Sequence, residues 1–157
     1  MATNAKTILK AALTVGTLDI CAAFIQVYLK TGKESVSLVL LYIGRAVLGK
    51  TNTLSDGALM AIGLLMHYII AASFTVAFFL TVAKTRFAKQ QRLLTGILYG
   101  LFIWTVMNLA VLPVTGTRKF PDFSKELSNQ AIAAGILIIC IGVPLAFIAN
   151  PKPMPAT

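Results

Sequence analysis

Four long, mostly apolar runs constrain this chain more than any other feature. A helix crossing a bilayer needs about 20 mostly apolar residues, in a range of roughly 17–25. The runs at residues 7–29, 57–83, 93–114 and 127–149 each meet that length. The chain of 157 residues is 57% apolar and only 12% charged. A soluble domain would carry about a quarter charged residues. The pattern therefore excludes a disordered chain and argues against a water-soluble fold. It predicts an all-α transmembrane four-helix bundle in a single domain spanning residues 1–150. The Pro-rich segment 151–157 is expected to form a flexible tail, because closely spaced prolines cannot continue a helix.

A fifth apolar stretch, 35–49, is too short to cross. Val36, Val39, Leu40 and Ile43 share one helical face there, and Arg45 interrupts it. This predicts a short helix that lies on the membrane, dips into it, or packs on the bundle as a loop helix. Lys6 and Lys10, followed by an apolar stretch, resemble the opening of a secretion signal, and Leu18-Asp19-Ile20-Cys21 resembles a lipoprotein cleavage site. Ile20 is too large for that site and Asp19 breaks the apolar region, so a retained first span is expected.

The net charge of +9 does not point to nucleic acid, because Lys and Arg sit between the apolar runs. With four spans, one side holds Lys6, Lys10, Lys84, Arg86, Lys89, Arg92 and Lys152, and no acid. The other holds Lys30, Lys33, Arg45, Lys50, Arg118, Lys119 and Lys125, with Glu34, Asp56, Asp122 and Glu126. The two cation counts tie. The dense basic cluster in 84–92 decides, and places both termini in the cytoplasm of a bacterial inner membrane.

In lipid, close backbone approach and interhelical hydrogen bonds hold helices together better than apolar bulk. Small residues at four-residue spacing therefore mark packing faces: Gly16, Gly63, Gly96, Gly100, Gly135 and Gly142. Whether such a face also serves a homo-oligomer stays open. Pro144 removes the hydrogen bond to the Cys140 carbonyl and predicts a kink, while Pro113 marks the exit of the third span. Cys21 and Cys140 lie inside spans and are expected to be packing residues.

Three polar residues lie deep in the spans: Asp19, His67 and Asn108. At 1.5 Å rise per residue, Asp19 lies roughly 18 Å from the start of its span and His67 roughly 15 Å from the start of its own. An aspartate at mid-span costs about 2.5–3.5 kcal/mol unless it finds a partner or a proton. His67 is the expected partner, by direct contact or through one water, with Asn108 in the same cluster and Arg45 as a further candidate. Such a cluster serves either as a proton or substrate site or as a structural lock on helix register.

These positions carry a resemblance. Gly16-Thr17-Leu18-Asp19 in the first span resembles a Gly-x-Leu-Asp signature. Residues 62–71 in the second resemble a Leu-Gly-Leu-x-x-His-aromatic-x-Ile-Ala signature. Residues 96–100, Val106-Met107-Asn108, Leu112-Pro113 and Gly142-Val143-Pro144 complete the set. The chain is similar to a broad family of small, functionally uncharacterised bacterial four-span integral membrane proteins. It departs at Ser55-Asp56-Gly57, where members often have a Gly-Gly turn, and near Leu137, where some have a histidine. The resemblance implies a fold and a membrane but no activity.

A small oligomeric transporter or channel component is the first functional expectation. A non-catalytic assembly or stress-related protein is the second. An enzyme ranks last, since no Ser/His pair, His-Glu-x-x-His or aspartate pair is present. No cofactor, metal or nucleic acid is expected; the lipid bilayer is the expected partner. The topology is checked by single-cysteine labelling from outside the cell: position 117 is expected to react and position 89 to stay protected.

Overall fold

The computed structural model describes residues 4–49, 53–115 and 123–151. The tail from 152 onward, Lys50, and the loop with Arg118, Lys119 and Asp122 lie outside the described residues. Every regular element described is helical. Among the described residues, four helices are long and apolar enough to cross a membrane: Ala5–Thr31, Asp56–Val82, Arg92–Val114 and Leu127–Ala149. They are spans one to four. Span four is the apolar part of a helix that begins at Phe123.

Local chemistry sets the ends. Asn4, Ser55 and Thr85 each use a side-chain oxygen to cap a helix N-terminus. Gly32 ends span one with φ 63°, a left-handed conformation that favours glycine. A short helix, Val36–Leu48, follows and is here called the arm. The carboxylate of Glu34 accepts bonds from the Ser37 hydroxyl and the Ser37 N–H at the start of the arm. These bonds, the hydroxyl first, hold the Glu34 carboxyl below the usual carboxylate range. The contribution of these bonds is therefore fully present above the ordinary range and is lost as pH falls through the lowered value.

The arm packs on span two through glycine. A Cβ on Gly44 would strike the Leu59 carbonyl, and one on Gly63 would strike the Leu40 carbonyl. As the arm advances from Leu40 to Gly44, span two runs back from Gly63 to Leu59, so the two helices cross antiparallel with backbones touching. Spans three and four cross the same way. A Cβ on Gly96 would lie 2.7 Å from the Val143 Cα, and one on Gly100 would lie 2.5 Å from the Ile138 Cα. Gly142 meets the Gly96 carbonyl from the other side.

Gly135 departs from the expected packing set, since a Cβ built there meets no atom within 4 Å. The cause lies between Gly135 and Gly142. Residues Ile138–Gly142 form a wider, π-type turn in which the Val143 N–H reaches the Ile138 carbonyl. The turn takes in one extra residue, which rotates Gly135 roughly 100° away from the Gly142 face. The turn also leads directly into Pro144, where a kink is expected. Similar turns occupy Phe78–Val82 in span two and Met107–Val111 in span three, the latter just ahead of Pro113.

Spans one and two, three and four, and one and four pack closely. Spans two and three approach less closely and meet through side chains. The Tyr99 hydroxyl donates to the Phe74 carbonyl at 2.7 Å, and the Phe78 and Tyr99 rings meet edge to face at 4.7 Å. The buried core gathers toward the end holding the N-terminus and the 84–92 turn: Ala11 and Val15, Phe78 and Ala83, Tyr99 and Ile103, Leu145 and Ala146. Arg92 closes that end by donating to the Asn150 carbonyl at 2.9 Å beneath the Phe147 ring.

Leucine at Gly96 or Gly100 forces spans three and four apart. Overpacking of this kind typically costs about 1–3 kcal/mol. Each variant is expected to lower the thermal unfolding temperature in detergent, and unchanged melting in both would show that the glycines face lipid.

Candidate functional site

The sequence places Asp19 on span one and His67 on span two, and the fold brings both to one cavity. It measures about 110 Å³. All four spans and the arm line it: Ile43 from the arm, Ile70, Ala71 and Phe74 from span two, Ile103 and Met107 from span three, Leu137 and Ile141 from span four. Asp19 and His67 are the only polar side chains in that lining, and both are half-buried.

The two motifs that carry these residues touch directly. The Tyr68 ring lies over Gly16, where a Cβ would come within 3.0 Å of it. The Tyr68 hydroxyl and the Thr17 hydroxyl share a hydrogen bond of 2.9 Å. His67 Nε2 lies 2.8 Å from the Gly16 carbonyl oxygen. A carbonyl only accepts, so Nε2 carries the hydrogen and donates. In neutral His67 that leaves Nδ1 as the bare, proton-accepting nitrogen. The Tyr68 ring stands edge-on to the imidazole at 5.5 Å.

The expected direct Asp19–His67 contact does not form: among the described residues, no hydrogen bond or ion pair joins them. His67 Nε2 is engaged instead by the Gly16 carbonyl, on the same span as Asp19. The cavity lies alongside both groups and is large enough to admit water.

Two residues expected in the cluster lie elsewhere. Asn108 is buried but donates from Nδ2 to the Trp104 carbonyl of its own helix at 3.0 Å. It is absent from the cavity lining, and one of its two amide hydrogens goes to the turn before it. Arg45 pairs with Asp56 at 3.3 Å, with 48% and 71% of the two side chains exposed. That pairing keeps the guanidinium hydrated, whereas reaching Asp19 would bury it.

The arm packs on the bundle with Ile43 of its predicted apolar face inward, and the contact that the sequence pattern does not single out is at Gly44. Gly44 lets it approach, and Ile43 covers the cavity. A glycine inside a short helix, where it weakens the helix by roughly 0.5–1 kcal/mol, was the available signal. Thr17 and Tyr68 sit within the two sequence motifs, and the signal for their pairing is that hydroxyls deep in a span seek partners. Among the described residues no three of His, Cys, Asp and Glu gather as a metal site would require. Cys21 is exposed and Cys140 half-buried, and both are free thiols.

Compared with known proteins, the chain matches no family model, no curated protein and no solved structure.

Tyr68→Phe removes one interhelical hydrogen bond, and such bonds average about 0.6 kcal/mol in membrane bundles. Gly16→Leu drives a side chain into the Tyr68 ring and is expected to cost more, about 1–3 kcal/mol. Unfolding in mixed micelles should rank the two in that order; the reverse order would show that the hydroxyl pair, not the close approach, joins spans one and two.

Proposed function

We propose that this is a four-span inner-membrane protein, a small transporter or channel component, whose Asp19–His67 cavity takes up and releases a proton. The cavity itself carries the reading. Its lining holds one carboxyl and one imidazole, and everything else is apolar. An acid and a base facing the same small space exchange a proton through one or two waters. The fixed donor at Nε2 leaves Nδ1 as the only place on the ring for an incoming proton. The apolar wall offers no further oxygen ligands for an alkali or divalent cation, which needs six or so in the calcium and magnesium pattern. A proton is therefore the favoured species.

The bacterial inner membrane and cytoplasmic termini are part of this proposal, supported by the motif resemblance and by the acid-free basic turn at 84–92. The arm belongs to the membrane-embedded part on this reading, since Ile43 reaches a cavity that also touches spans three and four. A second reading is favoured by the His67–Gly16 bond: a non-catalytic assembly or stress-related protein in which the polar residues fix the register of spans one and two.

Proton flux separates the two. In proteoliposomes loaded with a pH-sensitive dye, the protein is expected to speed dissipation of a pH step over empty vesicles. Asp19→Asn should fold normally and slow that flux at least about tenfold, because an amide cannot titrate. Flux no greater than in empty vesicles, or equal flux in Asp19→Asn, would leave the structural reading.

A further inference from the structure

Spans two and three diverge on the outside of the bundle and leave an open groove of about 470 Å³. We infer that this groove holds one acyl chain of an anionic phospholipid whose headgroup sits on the basic turn of Lys84, Arg86 and Lys89. The groove is apolar in effect as well as in composition. Its three hydroxyls are all spent inside the protein: Thr81 on the Ala77 carbonyl, Thr95 on the Gln91 carbonyl, and Tyr99 on the Phe74 carbonyl. An occupant therefore needs no polar groups within the groove. A hydrocarbon chain satisfies that condition.

Phe87, on the short helix Arg86–Gln90, is 45% exposed and forms the rim of the groove. From that rim the groove runs toward Ala77 and Phe102. Phe102 lies ten residues beyond Arg92, so the groove reaches roughly 15 Å into the span at 1.5 Å per residue.

The rim is strongly positive. Residues 77–102 contain Lys84, Arg86, Lys89 and Arg92 and no acid. Arg92 is held by the Asn150 carbonyl and the Phe147 ring. Lys84, Arg86 and Lys89 are exposed, and among the described residues none of them makes an ion pair. Uncompensated cations beside a chain-shaped apolar groove match a phosphate headgroup carrying an acyl tail. A second copy of this chain would bring an equally basic end against the first, which like-charge repulsion opposes.

The inference rests on the membrane placement but not on the proton reading, and its readout is lipid mass, which flux does not affect. The full chain is reconstituted in vesicles of equal phosphatidylcholine and phosphatidylglycerol, extracted in mild detergent, and weighed intact by native mass spectrometry. Retained phosphatidylglycerol is expected to exceed phosphatidylcholine by about tenfold or more at low salt and to fall as salt rises. K84Q/R86Q/K89Q is expected to abolish the preference. Ala77→Phe, which fills the groove and leaves the cations intact, should reduce the bound lipid. K30Q/K33Q, which removes two cations at the opposite end, should change nothing. Equal retention of the two lipids by the unaltered protein would overturn the inference, as would a salt-independent preference. So would an equal loss in K30Q/K33Q, which would make the charge effect diffuse, or a dimer that Ala77→Phe dissociates, which would give the groove to a second copy.

Discussion

Backbone-to-backbone contact at glycine is the interaction on which this bundle depends. Lipid tails are as apolar as leucine, so burying leucine against leucine in a membrane gains little. Close approach gains dispersion contacts that bulkier residues would forbid. Gly44 and Gly63 bring the arm onto span two, and Gly96, Gly100 and Gly142 bring span three onto span four. Gly16 seats the Tyr68 ring and so joins spans one and two. Remove the first crossing and the arm no longer covers the cavity with Ile43. Remove the second and the wall formed by Ile103, Met107, Leu137 and Ile141 opens.

The polar chemistry is built on those crossings. His67 reaches the Gly16 carbonyl because glycine at that position lets span two come close. The same contact settles which ring nitrogen carries hydrogen. The end of the bundle at 84–92 is filled by ring and aliphatic side chains, while the cavity lies farther along the spans with Asp19 and His67. Ile103 and Ile141 belong to both the core and the cavity lining, so the titratable pair faces one edge of the packed core.

Much of this was legible in the amino-acid order. Apolar run length alone located all four spans to within a few residues: 7–29 against Ala5–Thr31, and 93–114 against Arg92–Val114. Depth counting brought Asp19 and His67 together, because rise per residue is fixed in a helix. Asn108 and Arg45 were misplaced for a different reason. Depth says nothing about the local partner that a side chain finds first, here the Trp104 carbonyl and Asp56. Gly135 was misplaced because four- and seven-residue spacing assumes an unbroken α-helix, and Ile138–Gly142 is not one. The wide turn at Phe78–Val82 has no proline after it and left no mark in the sequence pattern.

Those wide turns also govern how the chain tolerates a change of length. A π-type turn is a place where a helix has absorbed one residue without turning its two flanks relative to each other. Deleting Ile139, which is 69% exposed within such a turn, tightens the turn to ordinary α-helix and leaves Gly142 and the flanking residues on their present faces. Deleting a residue in the regular helix before it, at Ala134 for instance, swings everything upstream by about 100° and carries Gln130 out of its buried position. In any aligned relative, a single-residue gap in span four therefore belongs between Ile138 and Gly142. Placed anywhere else, it would describe a different bundle.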